Sequence, residues 1–343
     1  MRVGLPKEIK DGEQRVALTP AGAAALVRAG HAVVFEPGAG AGAGFADAHY
    51  VQAGAAPGDA WGGELVIKVK ELQPTEYAKP RRGQTVFGFQ QFGLEPALLE
   101  AALASGASFV AYETVGEASG LPIVAPMSAI AGRLAVQVGA WCLQKPNGGS
   151  GVLLPGLEDV APGRIVIVGA GNVGANALAV ACGIGASVRV FARSEKRIGP
   201  LRQRYPQAQF STAAPDVADA DLVIAGVLIP GRMSPKLITR AMLRAMRPGS
   251  ALVDVGIDQG GIAETSRPTR HSAPIYVEEG IVHYCVPNMP AACPRTASVA
   301  LERAVLHYAL RLAAGQADAE LDTGLQVRAG KVVHAQLARD TGR

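Results

Sequence analysis

The sequence predicts an α/β protein with two doubly wound, Rossmann-like domains that are separated by a cleft, the first domain being discontinuous. Two series of short apolar runs alternate with helical patterns, and such alternation favours parallel sheets covered by helices. A GxGxxG string, Gly169 to Gly174, directly follows the first strand of the second series. The chain has 343 residues, too many for one compact core, and 49% are hydrophobic, enough to fill two cores.

The first series of elements occupies the first third of the chain. A strand over residues 1–5 precedes a helix that Thr19 caps, Pro20 starts and Gly30 ends. A second helix, 96–106, also ends on glycine. Further runs of strand length, rich in β-branched residues, are 31–36, 64–70, 85–90 and 107–113.

The second series follows an apolar helical pattern over 128–145, which is typical of a connecting helix. Its runs are 164–174 (which includes the glycine string), 187–192, 221–228, 250–257 and 281–286. From Ser298 to Ala313 the pattern is helical again and predicts a return to the first domain. We therefore expect a substrate domain of residues 1–127 plus 299–343 and a dinucleotide-binding Rossmann domain of residues 128–298.

Composition and charge exclude several classes of protein. The net charge of +4 comes from scattered Lys and Arg residues, so no nucleic-acid partner is expected. No run approaches the ~20 apolar residues of a membrane helix, and the first ten residues lack the apolar core of a signal peptide. The four cysteines form no CxxC pair and have no histidine at zinc spacing. We expect a cytoplasmic protein without a metal.

The glycine string predicts a nucleotide site because strand, loop and helix follow in the required order. Gly169 would make the tight turn, Gly171 would let the backbone approach a pyrophosphate, and Gly174 would let helix and strand pack closely. Asn172 and Val173 complete the loop at the start of the helix. The pyrophosphate would accept hydrogen bonds from the free N–H groups at that helix N-terminus.

The end of the following strand bears on the choice between NAD(H) and NADP(H). An NAD enzyme usually places an acid there to hold the ribose hydroxyls, but this chain has Ala192, Arg193 and Ser194. Arginine and a hydroxyl can pair with a 2′-phosphate that a carboxylate would repel. NADP(H) is therefore preferred, with NAD(H) as the alternative if Arg193 is only a solvated loop residue.

Several strings resemble the alanine dehydrogenase family over essentially the whole chain, with a shortened C-terminus. They occur in the family's order and at similar spacing: GLPKEIKDGEQRVALTP (4–20), VIKVKE (66–71), YETV (112–115), APMSAIAGR (125–133), GVLIPG (226–231), GIDQGG (256–261) and NMPAACPRTAS (288–298). The related transhydrogenase domain resembles the later strings less. The resemblance implies a hexamer that reversibly deaminates alanine to pyruvate and ammonia with NAD.

By the same resemblance, Arg15 and Lys70 would grip the substrate carboxylate. The chemistry also requires such a grip, because a 2-oxo acid must be held while its C2 faces the nicotinamide. Arginine can clamp a carboxylate with two parallel hydrogen bonds, and lysine supplies a point charge. The alternatives are a surface salt bridge from Arg15 to Glu13 or Glu8, and a solvated strand end for Lys70.

The resemblance assigns further roles in the second half of the chain. Asp258, at the end of a predicted strand, matches the family's acid/base carboxylate, whereas Asp254 inside that strand is expected to be a structural, hydrogen-bonded group. Asn288 would orient the oxygen or nitrogen of the substrate. Met127 and Ser128 match positions that line the nicotinamide pocket, although methionine is also a common core residue.

Two positions depart from the family pattern. Gln91 stands where the family has a histidine that moves protons, and Ala129 stands where it has an acid. His283 is the one histidine near a motif, but it lies inside a predicted strand, where a hydrogen-bonded core role is expected. Glutamine can donate a hydrogen bond to a carbonyl or imine, yet it cannot deliver a proton at neutral pH.

Lost proton transfer costs ~10²–10⁴ in rate and falls hardest on steps that dehydrate a carbinolamine. The sequence therefore predicts an NADP(H)-dependent amino-acid dehydrogenase or imine reductase that acts on a small carboxylate substrate. Gln91, Asp258 and Lys70 are its predicted catalytic residues. The alternatives are an ordinary NAD-dependent alanine dehydrogenase and a non-catalytic nucleotide-binding homologue. A homo-oligomer is expected, a hexamer by the resemblance or else a dimer.

Overall fold

The computed structural model describes residues 1–116, 118, 120–227, 233–316 and 319–343. The chain divides into two compact units, one of Met1–Met127 with Ala291–Arg343 and one of Ser128–Pro290. The second unit ends at Pro290 and not at residue 298, because the helix that follows begins at Pro294 and belongs to the first unit. The assignment of substrate and dinucleotide to the two units stays a prediction.

The elements confirm the predicted α/β class. In the described residues the strands are β1 (Arg2–Leu5), β2 (Ala32–Phe35), β3 (Ala56–Pro57), β4 (Leu65–Ile67), β5 (Thr85–Gly88), β6 (Ser108–Ala111), β7 (Arg164–Val168), β8 (Ser187–Phe191), β9 (Gln209–Ser211), β10 (Leu222–Ala225), β11 (Ala251–Asp254), β12 (Ile275–Glu278), β13 (Ile281–Tyr284), β14 (Leu325–Arg328) and β15 (Lys331–Val332). The α-helices are α1 (Pro20–Arg28), α2 (Asp47–Gln52), α3 (Pro96–Ser105), α4 (Val124–Cys142), α5 (Asn172–Gly183), α6 (Glu195–Arg204), α7 (Arg240–Arg244), α8 (Pro294–Ala313), α9 (Ala319–Gly324) and α10 (Ala335–Thr341). None of these helices is both long and apolar enough to cross a membrane.

The first unit is built on a sheet in the order β15-β14-β6-β5-β4-β1-β2-β3. The six strands from β6 to β3 in that order pair in parallel, whereas β14 and β15 add an antiparallel edge. Parallel strands end on a common side of a sheet, so the segments after β1, β4, β5 and β6 emerge together. These segments contain Arg15, Lys70 and Gln91.

The second unit has a sheet in the order β12-β13-β11-β10-β7-β8-β9, parallel except for β12. The chain runs outward from β7 through β8 to β9, and then returns to the other side of β7 as β10. The strand order therefore reverses between β7 and β10. Ligands of open α/β sheets bind at the carboxyl ends of the strands at such a reversal, and the glycine string follows β7 there.

Several strands end earlier than predicted, and after β4 a buried carboxylate accepts a backbone N–H beyond the strand. The predicted strand 64–70 stops at Ile67, and Glu8 accepts the N–H of Val69 at 2.6 Å. The strands predicted over 85–90, 107–113, 187–192 and 281–286 likewise end early. The strand predicted over 221–228 ends at Ala225, and Leu228 lies outside the described residues.

Asp258 was predicted to lie at the end of a strand, and it does not. β11 ends at Asp254, and Val255–Gln259 form a 3-10 helix that contains Asp258. The side chain of Asp254 accepts the N–H of Gly256 at 3.0 Å, which turns the chain out of the sheet. The short strands β3, β9, β12, β14 and β15 and the C-terminal helices were not predicted, because their apolar runs are too brief to show a period.

Candidate functional site

Arg15 is buried and paired with Glu13. Its Nε and Nη2 atoms donate to the two carboxylate oxygens of Glu13 at 2.7 and 2.5 Å, and its Nη1 atom lies 3.3 Å from the sulfur of Met127. The Arg15 side chain is only 2% exposed and that of Glu13 is inaccessible. The salt bridge from Arg15 to Glu13 that was predicted as the alternative is therefore present. It is buried, however, whereas the alternative placed it on the surface.

The segment that carries Arg15 is attached to α8. The N–H of Val16 donates to the hydroxyl of Ser298 at 3.0 Å, and the carboxylate of Glu302 accepts the N–H groups of Thr19 and Gly22 at 2.5 and 3.1 Å. Glu302 thereby accepts N–H groups at the start of α1, where the first turn of a helix has no partner of its own. Helix α8, although distant in sequence, fixes the backbone on which Arg15 stands.

Lys70 lies beyond the end of β4 and is 6% exposed, so the alternative of a solvated strand end is wrong. Its Nζ is 3.2 Å from Glu71 Oε2 and 5.6 Å from the centre of the Phe89 ring. Burial raises the pKa of Glu71, but Lys70 and Lys10 outweigh it and hold that pKa below its usual value. Glu71 is therefore ionised and keeps Lys70 paired.

Next to Lys70, Lys68 is buried between two carboxylates. Its Nζ lies 2.8 Å from Glu76 and 3.4 Å from Glu8. Burial raises the pKa of Glu8, whereas for Lys68 burial lowers the pKa and the two carboxylates together raise it above its usual value. This triad fixes the start of the segment that leads to Lys70, because Glu8 also accepts the N–H of Val69.

Gln91 has a left-handed backbone with φ 55°, which is rare outside glycine. Its N–H donates to Glu113 Oε1 at 2.7 Å, and the N–H of Gln90 reaches the two oxygens of the same carboxylate at 3.1 and 3.2 Å. Burial raises the pKa of Glu113. The carboxylate thus holds the backbone turn that presents the Gln91 side chain, which is partly exposed.

The glycine string after β7 has the geometry that a dinucleotide requires. Gly169 has φ 110°, and a Cβ there would lie 2.7 Å from the carbonyl oxygen of Gly226. A Cβ on Gly174 would lie 1.8 Å from the carbonyl oxygen of Gly169, so only glycine lets α5 start this close to the strand. At Gly171 a Cβ would meet nothing described within 4 Å except Arg197 at 3.4 Å. The residues present therefore fit a pyrophosphate at Gly171.

Helix α4 packs against the first turn of α5, which Asn172 and Val173 begin. A Cβ on Gly132 would lie 2.1 Å from the carbonyl oxygen of Val173, so the two helices approach as closely as backbones allow. Ser128 lies on α4 one turn before Gly132 and is partly exposed. It is thus on the same side of the second unit as the glycine string, whereas Met127 is buried against Arg15.

Among the described residues, the end of β8 carries exposed cations, and the nearest acid in the sequence, Glu195, is paired. Ala192 is held by a hydrogen bond from its N–H to Ser211, Arg193 is exposed, and Ser194 caps α6 without using its side chain. The neighbouring carboxylate, Glu195, pairs with Arg202 at 2.5 Å. Arg197, which reasoning from the sequence missed, reaches Gly171 from the first turns of α6, and an arginine near a helix start was the only signal for it.

Asp258 and Asn288 are brought together in the second unit. The N–H of Asn288 donates to the two carboxylate oxygens of Asp258 at 3.2 and 3.4 Å, and Asn288 has φ 56°. Asp258 is exposed. Asp254 is buried and accepts hydrogen bonds from Gly256, Ile262, Ala263 and Ser266, which confirms its predicted structural role.

His283 is a core residue, as predicted. It is inaccessible to solvent, and its ring nitrogens lie 2.8 Å from the Thr265 hydroxyl and 2.9 Å from the Ile281 carbonyl oxygen. It does not replace the histidine missing at position 91. Ala129 lies on α4 without a contact that explains its departure from the family pattern. The string GVLIPG lies outside the described residues except for Gly226 and Val227.

Sequence profiles of the alanine dehydrogenase/PNT family match almost the whole chain. The profile of the N-terminal domain matches residues 4–131, and that of the C-terminal domain matches residues 135–335. This chain belongs to the alanine dehydrogenase/PNT family. The resemblance stated from the sequence strings is confirmed.

Individual relatives of the family agree with this. Alanine dehydrogenase of Halomonas elongata is 47% identical, over 100% of this chain and 97% of that protein. Alanine dehydrogenase of Bacillus subtilis is 44% identical, over 100% of this chain and 95% of that protein. A solved structure of L-alanine dehydrogenase, 43% identical, superposes with a TM-score of 0.95 and covers 100% of this chain and 99% of that one. Its two Rossmann-like domains confirm the predicted fold class.

Membership in the alanine dehydrogenase/PNT family makes the chain an oxidoreductase that uses a nicotinamide cofactor and a small-molecule substrate. The structure adds residues that reasoning from the sequence did not assign. Glu13 was considered only as a surface partner of Arg15, and Glu113 was the last residue of the strand predicted over 107–113. The hydrogen-bond partners of these carboxylates could not be known before the fold was.

Proposed function

We propose that this enzyme is an NADP(H)-dependent amino-acid dehydrogenase that works as an imine reductase on small substrates with a 2-carboxylate. Its general chemistry, oxidation of a CH–NH2 group or the reverse reaction, is that of its family. The observation that carries the finer proposal is Gln91. An amide incapable of proton transfer stands on a rigidly held turn at the position where the family has a proton-transferring histidine.

The residues of this chain divide the work in the following way. Arg15 and Lys70 hold the substrate carboxylate, and both are oriented in advance by carboxylate partners, Glu13 and Glu71. Pre-orientation matters because a side chain that is already fixed loses little entropy when the substrate binds. The side-chain N–H of Gln91 donates to the substrate nitrogen or oxygen and polarises the C=N or C=O bond.

Asp258 is the group that moves a proton to or from the substrate nitrogen, since its carboxylate is exposed and lies on a fixed loop. Asn288, whose N–H donates to Asp258, orients the substrate with its side chain. When bound, the nicotinamide supplies or accepts the hydride at C2. An imine that arrives already formed needs one proton and one hydride, so a single acid/base group is enough for its reduction.

The choice of NADP(H) is supported by the end of β8. Arg193, Lys196 and Arg197 form a cationic group there, and in the described residues none of them has a carboxylate within ion-pair distance. A ribose 2′-phosphate would be attracted by these side chains. The position where a carboxylate would repel the phosphate is Ala192.

Ordinary alanine dehydrogenation with NAD is the second candidate, because the full-length relatives carry that name. Single-turnover oxidation of NADPH and of NADH separates the two. The panel contains pyruvate and other 2-oxo acids with ammonia, and five- and six-membered cyclic imine carboxylates. We expect the fastest turnover with NADPH and a cyclic imine. Fastest turnover with NADH, pyruvate and ammonia would establish the second candidate.

Assembly and location are part of the same proposal. The family resemblance implies a homo-hexamer, which sedimentation velocity would test. The four cysteines are free, two of them buried, which supports a reducing compartment such as the cytoplasm.

A further inference from the structure

Lys236 donates to three backbone carbonyl groups of the loop that carries Asp258. Its Nζ lies 2.7 Å from the carbonyl oxygen of Gly260, 2.9 Å from that of Gly261 and 2.9 Å from that of Ala263. A protonated amine has three N–H donors, so the ammonium is fully used by the loop. Gly260 and Gly261 both have left-handed φ angles, 87° and 80°, and only glycine adopts two such residues in succession without strain.

The same loop is held on its N–H groups by Asp254. This buried carboxylate accepts the N–H of Gly256 at 3.0 Å, of Ile262 at 2.6 Å and of Ala263 at 3.1 Å. The peptide groups on either side of Ala263 are therefore bound to opposite charges, the N–H to Asp254 and the C=O to Lys236. Hydrogen bonds to charged groups are roughly twice as strong as those between neutral groups.

The backbone around Lys236 is also hydrogen-bonded to the loop. The N–H of Ser234 donates to the carbonyl oxygen of Gln259 at 2.8 Å. The N–H groups of Leu237 and Ile238 donate to the carbonyl oxygen of Ile262 at 2.9 and 3.2 Å. Gln259 and Gly260 are the two residues directly after Asp258. The contacts of the segment 234–238 thus begin one residue beyond the acid/base carboxylate.

We propose that Lys236 is a positioning residue for Asp258. It fixes the carbonyl groups of the glycine turn, and the turn in turn sets the direction in which the Asp258 carboxylate projects. The inference rests on the proposed function, because it takes Asp258 as the group that moves the proton. In the described part of the chain the hydrogen bonds of the Lys236 ammonium go to backbone carbonyl groups. Its side chain is exposed, so its loss leaves carbonyl groups that water can reach, and the fold should survive.

The test measures single-turnover oxidation of NADPH with pyruvate and ammonia and with a six-membered cyclic imine carboxylate. Lys236→Met is expected to lower the rate roughly 10- to 100-fold, because small displacements of a reacting group have effects of that size. Lys236→Arg, which keeps the charge and several N–H donors, should recover most of the rate. Lys145→Met, a change of the same kind at an exposed lysine of the same unit, is the matched control and should leave the rate unchanged.

Asp258→Asn separates a positioning role from a general structural one. If Lys236 acts through Asp258, adding Lys236→Met to Asp258→Asn should lower the rate no further. A wild-type rate in Lys236→Met, or an equal loss in the Asp258→Asn background, would overturn the inference while leaving the proposed function intact. A wild-type rate in Asp258→Asn would instead refute the proposed role of Asp258. Should Lys236→Met not fold, Lys236→Gln, which keeps two N–H donors, replaces it in the same comparison.

Discussion

The carboxylate of Glu113 accepts the N–H of Gln91 at 2.7 Å, and this bond joins the end of β6 to the turn after β5. Gln91 needs such support, because its φ of 55° costs a non-glycine residue free energy. The same carboxylate also binds the N–H of Gln90. The position at which this chain has glutamine where the family has histidine is therefore held by hydrogen bonds to one carboxylate.

Glu113→Gln should lower the rate of NADPH oxidation and should also change its dependence on pH. Burial raises the pKa of Glu113, so in the wild type the carboxylate is protonated as the pH falls through this raised value and loses acceptor strength toward Gln90 and Gln91. We expect the wild-type rate to fall on the acid side and the variant to lack that limb of the profile. Identical acid limbs in both proteins would show that Glu113 does not control the turn.

The stability of the fold should depend on pH in the direction opposite to the rate. Because the folded pKa of Glu113 lies above that of the unfolded chain, the folded state binds the proton more tightly. The contribution of this group to stability is largest at low pH and is lost as the pH rises through the folded value. Thermal unfolding of the wild type and Glu113→Gln as a function of pH measures the difference. Toward neutral pH, the stability of Glu113→Gln should increase relative to that of the wild type.

NADPH should bind more tightly than NADH. The cations Arg193 and Arg197 attract a 2′-phosphate, and Ala192 does not repel it. Fluorescence titration with both reduced cofactors measures the two Kd values. Ala192→Asp should shift the preference toward NADH through repulsion of the phosphate and a new contact to the ribose, and Arg204→Ala is a control at the far end of α6. Equal Kd values in the wild type would contradict the preference.

Arg15→Ala and Lys70→Ala should each weaken substrate binding and leave the Kd of the cofactor unchanged. Removing one buried partner of a charged hydrogen bond costs about 2–5 kcal/mol. Glu13→Gln removes only the charge that orients Arg15, so it should raise KM less than Arg15→Ala does. Steady-state kinetics with the best substrate of the panel decides this. Wild-type KM values in Arg15→Ala would mean that another group holds the carboxylate.

Gln91→His should increase the rate of the reaction of pyruvate with ammonia. The rate of reduction of a cyclic imine should change little or fall. An imidazole titrates near neutral pH and can transfer the proton that an amide cannot. The left-handed backbone suits the change, since histidine is among the residues that tolerate it best. Rates of both proteins on both substrates test the prediction. Rapid turnover of pyruvate and ammonia by the wild type would show that glutamine suffices for the family's own reaction.

The local pattern of the sequence determined the α/β class, the glycine string and the family. Alternating apolar runs and helical periods depend on near neighbours in the chain, and the three glycines have backbone requirements that the string itself states. The strand and helix around Gly169 to Gly174 were therefore predicted correctly. So was the core role of His283, which lies inside a run of apolar residues.

Only the tertiary structure decided how the charged residues are used. Glu13, Glu113 and Asp254 look alike in a sequence, and each accepts different hydrogen bonds in the fold. Glu113 reaches Gln91 because β5 and β6 pair in parallel and end at the same edge of the sheet. Lys236 and the loop it binds are likewise separated in sequence and adjacent in space. A buried charge is stable only beside a partner, and which partner is available depends on the register and order of the strands, which no local pattern contains.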